Sequence, residues 1–123
     1  MARLCRKAGL FLFRLLNELP TKKKTMNVSK LFSLEGKVAV VTGGTGVLGG
    51  AMAKGLAEAG VAVGILGRRL EAASLLAEEI RAKGGKALPL QADVLNHGQL
   101  AEAHRQMLKE FGTIDILVNA AGG

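Results

Sequence analysis

The feature that most constrains the fold of this chain is the stretch KVAVVTGGTGVLGGAMAKGLAEAG, residues 37–60. A short run of Val and Ala, typical of a strand buried on both faces, passes directly into a glycine-rich turn and then into an alanine-rich helical pattern. Gly44, Gly46 and Gly49 have the spacing Gly-x-Gly-x-x-Gly, between the strand and the helix. In that context the pattern predicts a loop that binds a dinucleotide.

Each glycine of this loop has a predicted role. Gly43 and Gly44 permit the tight turn, and Gly46 lets a pyrophosphate approach the backbone. Gly49 lets the helix pack close to the strand, and the diphosphate is expected against the free N–H groups at the helix N-terminus. The alternative, a turn that binds nothing, is disfavoured because further small residues crowd the same face of the helix. These residues are Gly50, Ala51, Ala53 and Gly55. No Gly-Lys-Ser/Thr closes the loop, which excludes a Walker-type phosphate loop.

The remainder of the chain alternates between strand and helix patterns. Strands are predicted at residues 37–42, 61–66, 86–93 and 114–120, and helices at 47–59, at 70–83, and between the capping-box-like segment 96–99 and Gly112. This alternation predicts an α/β fold, a Rossmann-like doubly wound parallel sheet of about four strands in the order 3-2-1-4 with three helices. Pro89 favours an edge position for the third strand. The fourth strand is left with an open edge, so the isolated chain is expected to be marginal in stability or to self-associate.

The formal charge of +7 is concentrated near the N-terminus and does not indicate nucleic-acid binding. Residues 1–25 hold most of the excess of Lys and Arg, and the rest of the chain is nearly neutral. The single cysteine, Cys5, excludes an internal disulfide and suits a reducing compartment, so a cytoplasmic protein is expected. No Cys/His cluster has metal-ligand spacing, so no metal site is expected.

Residues 1–30 form a basic leader, separate from the partial Rossmann domain predicted over residues 31–123. Three interpretations of the leader stay open: an amphipathic segment for a membrane surface or an organelle, a structured extension, and a non-native or disordered segment upstream of a true start at Met26. A secretory signal is excluded because its apolar core is short and Arg14 closes it. A bilayer span needs about 20 apolar residues, so the leader is not expected to span a membrane, and of the interpretations above a membrane partner is not the favoured one.

The end of the second predicted strand indicates which dinucleotide is preferred. Domains that prefer NAD usually place Asp or Glu there, where the carboxylate binds the ribose 2′-OH. This chain has Gly67 followed by Arg68 and Arg69, and its first acid after the strand is Glu71. A small residue followed by arginine leaves room and positive charge for a 2′-phosphate, so NADP(H) is favoured over NAD(H). The alternative is that the arginines only cap a solvated loop.

Three motifs together resemble the short-chain dehydrogenase/reductase family. TGGTGVLG at 42–49 is similar to its Thr-Gly loop, Ala-Asp followed by Val94 to its adenine-pocket strand end, and ILVNAAGG at 116–123 to its Asn-Asn-Ala-Gly strand. The resemblance covers residues 31–123. It implies an NAD(P)-dependent oxidoreductase that transfers hydride between nicotinamide and a small carbonyl or alcohol substrate, with a homo-oligomeric full-length form. Within this family, the details of the sequence are similar to those of bacterial sugar-acid reductases such as fructuronate or mannonate oxidoreductases.

The resemblance also implies which residues contact the cofactor. Arg68 is expected to meet the 2′-phosphate, and the Asp93 side chain and Val94 backbone are expected to hold the adenine. The complete predicted set is Thr42, Gly43, Gly44, Thr45, Gly46, Val47, Leu48, Gly49, Arg68, Arg69, Asp93, Val94, Asn119, Ala120, Ala121 and Gly122. The chain departs from the family at two of these positions. Val47 stands where the commoner loop has glycine, and Ala120 replaces the second Asn of the strand motif.

The catalytic residues of the family are expected to be missing from this chain. Family members use a Tyr as general acid/base, a Lys that lowers the pKa of the Tyr, and a Ser that orients the substrate oxygen. The chain contains no tyrosine, and His97 and His104 are expected to be solvated. The chain is therefore expected to be the cofactor-binding fragment of an oxidoreductase, inactive by itself. The alternative is a non-catalytic nucleotide-binding or interaction module that docks on a full-length relative.

Overall fold

The computed structural model describes residues 28–122, and the chain divides into two compact units, Met1–Ser33 and Leu34–Gly123. The described part of the first unit contains a one-turn helix, Val28–Leu31. The interpretations of the leader and of a start at Met26 concern residues outside the described part. The sheet and the longer helices belong to the second unit, to which the following description applies.

The second unit alternates strictly between strand and helix. Its elements are β1 (Val38–Thr42), α1 (Val47–Glu58), β2 (Ala62–Gly67), α2 (Leu70–Ala82), β3 (Lys86–Gln91), α3 (His97–Phe111) and β4 (Ile116–Asn119). Each predicted element is present, with bounds that differ from the expected ones by one or two residues. The largest differences are in β3, which ends at Gln91, and in β4, which begins at Ile116.

The strands form one parallel sheet in the order β3-β2-β1-β4, which confirms the predicted topology. In the register of this sheet, Thr42 of β1 lies opposite both Leu66 of β2 and Asn119 of β4. Pro89 lies in β3 at one edge of the sheet, as its missing N–H predicts. The chain therefore advances from β1 to β3 and then reverses to place β4 on the other side of β1.

The two faces of the sheet are covered by different helices. On one face α1 and α2 pack through Ala53, Ala73 and Ile80 on buried residues of β1 and β2. On the other face α3 packs through Ala103 and Met107 on a second buried cluster. This distribution is the one that right-handed crossovers require when the chain reverses direction after β3.

The helix ends follow the residues that the sequence offers. α1, α2 and α3 are followed by Gly60, Gly84 and Gly112, each with a φ between 79° and 87°, where glycine is the favoured residue. At the start of α3 the side chain of Asn96 accepts the N–H of Gln99 at 3.1 Å. The reciprocal half of the expected capping box is absent, because Gln99 Oε1 accepts the N–H of Asp93 at 2.7 Å instead.

One ion pair joins the two helices on the same face. Lys54 of α1 and Glu79 of α2 lie 2.8 Å apart on the surface. The hydrogen bond from Lys54 holds the pKa of the Glu79 carboxyl below its ordinary value. Neither residue lines the site described next.

Candidate functional site

An open cleft lies beyond the carboxyl ends of β1, β2 and β4. Its volume is about 550 Å³. It lies where the strand order reverses between β1 and β4, which is the usual position of a ligand in an open α/β sheet. The residues that line it are Gly43, Thr45, Gly46, Leu66, Gly67, Arg68, Ala92, Asp93, Val94, Leu95, Ala120, Ala121 and Gly122.

The glycine loop forms the floor of this cleft as a tight turn. Gly43 has a φ of 66°, in the left-handed region that favours glycine. The N–H of Gly46 donates to the carbonyl of Gly43 at 3.0 Å, and the N–H of Gly44 donates to the carbonyl of Leu66 at 3.2 Å. A Cβ on Gly43 would lie 2.7 Å from the backbone N of Ala121. The loop is thus fixed between β2 and the segment that follows β4.

The glycines of the loop fall into two classes. A Cβ on Gly49 would overlap the carbonyl oxygen of Gly43, and a Cβ on Gly44 would lie 2.9 Å from Ile65 Cγ2. At these positions the packing of the protein itself requires glycine. Gly46 differs, because its φ is −78° and the nearest atom to its Cβ would be the Gly43 oxygen at 3.4 Å. Gly49 packs on the backbone of the loop, whereas its predicted role was close packing of the helix on the strand.

The N-terminus of α1, beside the loop, is exposed to solvent. Its N-cap is Gly46, which supplies no side-chain acceptor, and its first turn contains no acidic residue. The first N–H groups of a helix have no acceptor within the helix and carry a partial positive charge. Val47, in this turn, is 96% exposed, so bulk solvent reaches this end of the helix. The arrangement suits a bound anion.

The opposite wall of the cleft is formed by the residues that follow β2 and β3. Arg68 is exposed and lines the cleft, while Arg69 is the N-cap of α2 and does not line it. The carboxylate of Asp93 accepts the N–H of Leu95 at 3.0 Å, which fixes the turn after β3. A smaller polar recess of about 450 Å³ between Arg68, Asp93, Gln91 and Gln99 adjoins this wall.

Thr42 connects β1 to β4 beneath the cleft. Its hydroxyl is buried and donates to the side-chain oxygen of Asn119 at 3.3 Å or to the carbonyl of Val118 at 3.4 Å. The N–H of Ala120 donates to the carbonyl of Thr42 at 3.1 Å. With Ala120 in place of a second Asn, this hydroxyl is the side-chain group of β1 that holds the end of β4.

The cleft brings together a majority of the residues that the sequence predicted. Those that line it are Gly43, Thr45, Gly46, Arg68, Asp93, Val94, Ala120, Ala121 and Gly122. The predicted residues that do not line it are Thr42, Gly44, Val47, Leu48, Gly49, Arg69 and Asn119. The sequence interpretation missed Leu66 and Leu95, and it used Gly67 and Ala92 only as parts of motifs without including them in the predicted set. The only signal for Leu66 and Leu95 was position, because both lie at or just after the end of a predicted strand.

Within residues 28–122, no group of three His, Cys, Asp or Glu side chains lies close enough together to hold a metal ion. Within the same residues, no helix has the length and apolar character needed to cross a membrane.

A parallel sheet of this order, with a glycine loop at the reversal of strand order, defines a nucleotide-binding domain of the Rossmann type. Residues 37–123 match the sequence model of the family described as short chain dehydrogenase. The chain therefore belongs to the short-chain dehydrogenase family.

Relatives of known sequence and structure agree with this assignment. The uncharacterized oxidoreductase UxuB of Bacillus subtilis is 47% identical over 91 residues, which are 74% of this chain and 33% of the relative. A protein from Haemophilus influenza described as a D-mannonate oxidoreductase, solved with bound NAD, is 39% identical with a TM-score of 0.72, over 79% of this chain and 35% of the other. A metagenomic short-chain oxidoreductase in complex with NADP is 36% identical with a TM-score of 0.69, over 74% of this chain and 41% of the other. The chain spans about a third of the length of the curated relatives that it matches.

Proposed function

We propose that the domain from Leu34 onward binds a nicotinamide dinucleotide across this cleft, as the cofactor-binding part of an oxidoreductase. The observation that carries the proposal is the geometry of Gly46. Its backbone is in an ordinary region and a Cβ would meet only one atom at 3.4 Å, so the packing of the loop does not require glycine there. A pyrophosphate that lies over the loop, against the uncapped N-terminus of α1, gives a reason for the absent side chain.

We propose positions for the rest of the cofactor from the residues around the cleft. We expect the 2′-phosphate beside Arg68, and the adenine against the Asp93 side chain and the Val94 backbone. The preference for NADP(H) over NAD(H) rests on Gly67 and Arg68, because one related structure holds NAD and another holds NADP. A cleft of about 550 Å³ is within the usual range of small-molecule sites.

The proposed reaction of the whole protein is hydride transfer between the nicotinamide and a small carbonyl or alcohol. The bound cofactor would supply or accept the hydride. A sugar acid is the proposed substrate, supported by the Haemophilus influenza neighbour described as a D-mannonate oxidoreductase. The residues described above bind and orient the cofactor. Since the chain contains no tyrosine, we expect this chain alone to catalyse no turnover.

We also propose a cytoplasmic location, supported by the single Cys5, and a homo-oligomeric full-length form, which the family resemblance implies.

The test compares three glycine-to-alanine variants of the full chain. Gly46→Ala is expected to retain stability to within about 1 kcal/mol, because only an N-cap preference is lost. It is expected to weaken NADPH binding at least about tenfold, which corresponds to about 1.4 kcal/mol. Gly49→Ala is expected to lose both stability and binding, because its Cβ overlaps the Gly43 carbonyl. Binding is measured by the fluorescence of the reduced nicotinamide and stability by urea unfolding.

Gly55→Ala provides the matched control on the same helix. Its Cβ would meet nothing within 4 Å and the residue is exposed, so both stability and NADPH binding are expected to be retained. If Gly46→Ala binds NADPH as tightly as Gly55→Ala does, the pyrophosphate does not lie over the loop and the proposal is wrong.

A further inference from the structure

Gly67, the last residue of β2, lies directly against the side chain of Thr45 in the glycine loop. A Cβ built on Gly67 would lie 2.8 Å from Thr45 Cγ2 and 3.0 Å from Thr45 Oγ1. Such a separation from a carbon atom is shorter than real contacts, so one of the two groups would have to move. The residues meet because β1 and β2 pair in register, with Thr42 opposite Leu66, and the loop after β1 then passes over the end of β2.

Thr45 does not readily give up this space. It is β-branched, which restricts its χ1, and it is half-buried, while Gly67 is buried. Of the atoms nearest to a Cβ at position 67, only the two γ atoms of Thr45 lie too close to it. The Cβ of Thr45 would be 3.5 Å from the new Cβ, which is an ordinary contact. An alanine at position 45 would therefore admit a side chain at position 67.

Position 67 is the end of the second strand, where a domain that prefers NAD carries the acid for the ribose 2′-OH. The first carbon of such an acid would fall against the γ atoms of Thr45. We propose that Thr45 is a specificity-determining residue, because it restricts position 67 to glycine and so keeps a carboxylate away from the 2′ position of the ribose. The pair Thr45 and Gly67, and not Arg68 alone, then sets the preference for NADP(H). This inference rests on the proposed function.

A double-mutant cycle on the full chain tests the coupling. Dissociation constants for NADPH and for NADH are measured by nicotinamide fluorescence for wild type, Thr45→Ala, Gly67→Asp and the double variant. Gly67→Asp alone is expected to weaken both, since the carboxylate repels a 2′-phosphate and the clash with Thr45 displaces the loop. The double variant is expected to bind NADH at least about tenfold more tightly than Gly67→Asp does. Thr45→Ala alone is expected still to prefer NADPH, because it introduces no acid.

An uncharged pair of variants tests the same contact without any cofactor. Gly67→Ala is expected to lower the Tm of the full chain, because its Cβ clashes with the γ atoms of Thr45. In the Thr45→Ala background the same change is expected to lower the Tm by much less. This measurement of the Tm tests the steric clash between positions 45 and 67 even if Gly67→Asp fails to fold.

The outcomes separate this inference from the function on which it rests. If Gly67→Asp alone binds NADH as tightly as the double variant, or if Gly67→Ala leaves the Tm of the wild type unchanged, the two positions are independent and the inference is wrong. If wild type binds NADPH and NADH equally, Thr45 does not determine specificity and the inference is wrong, while the proposed binding of a dinucleotide stands. If wild type binds neither dinucleotide, the proposed function fails, and this inference fails with it.

Discussion

At the scale of single residues, a close contact between the sheet and α3 joins Gly64 to Met107. A Cβ on Gly64 would overlap Met107 Sδ and would lie 3.1 Å from Leu90 Cδ1. Met107 is flexible, but both it and Leu90 are fully buried, so neither side chain has empty space into which to move. The position of α3 over β2 therefore depends on the absence of a side chain at residue 64.

Gly64→Ala is expected to lower the free energy of unfolding by about 1–3 kcal/mol, the usual effect of overpacking a core. Urea unfolding followed by circular dichroism measures the change. Gly55→Ala is the control, since a Cβ there would meet nothing within 4 Å. Equal stability of the two variants would contradict the proposed tight contact.

The residues of the cleft were predictable where their role is local in the sequence. Gly43 and Gly46 could be identified because the turn and the start of the helix lie within one short motif. Leu66 could not, because its place in the cleft depends on the register between β1 and β2. The contact between Thr45 and Gly67 is likewise a tertiary one, which no spacing within the loop indicates.

At the scale of elements, the start of α3 organises one wall of the cleft. Asn96 caps the helix through the N–H of Gln99, and Gln99 in turn accepts the N–H of Asp93. The cap thus links the helix to the turn after β3. The sequence predicted the cap, because Asn followed by Gln at this spacing is a known signal. It did not predict that Gln99 would bond to Asp93, since that depends on where β3 ends.

Asn96→Ala is expected to lower the free energy of unfolding by about 1 kcal/mol, because a helix N–H loses its acceptor. His97→Ala is the control, because this exposed neighbour lies in the first turn and makes no cap. Thermal unfolding of both variants provides the measurement. A loss in His97→Ala as large as that in Asn96→Ala would show that the effect does not come from the cap.

At the scale of the whole domain, the sheet is covered unequally. The strand order and the distribution of helices were predictable, because strand and helix patterns alternate and right-handed crossovers restrict the topology. α3 packs on β3 and β2, so β4 is less covered on that face, whereas β1 is buried along its whole length. Leu117 of β4 is 61% exposed there, beside an apolar recess of about 230 Å³ that Val40 and Ile114 also line. Within residues 28–122, no strand pairs with the outer edge of β4.

This exposed apolar surface and open strand edge lead us to expect that the chain self-associates. Leu117→Thr keeps a residue suited to a strand and removes much of the exposed apolar side chain, so it is expected to weaken association at least about fivefold. Leu75→Gln is the matched control, because Leu75 is 68% exposed on α2, where a glutamine suits a helix. Sedimentation equilibrium of the three proteins measures the dissociation constants. A wild-type chain that sediments as a monomer and unfolds cooperatively would contradict the expected self-association. A control as strongly affected as Leu117→Thr would show that the association does not depend on this part of β4.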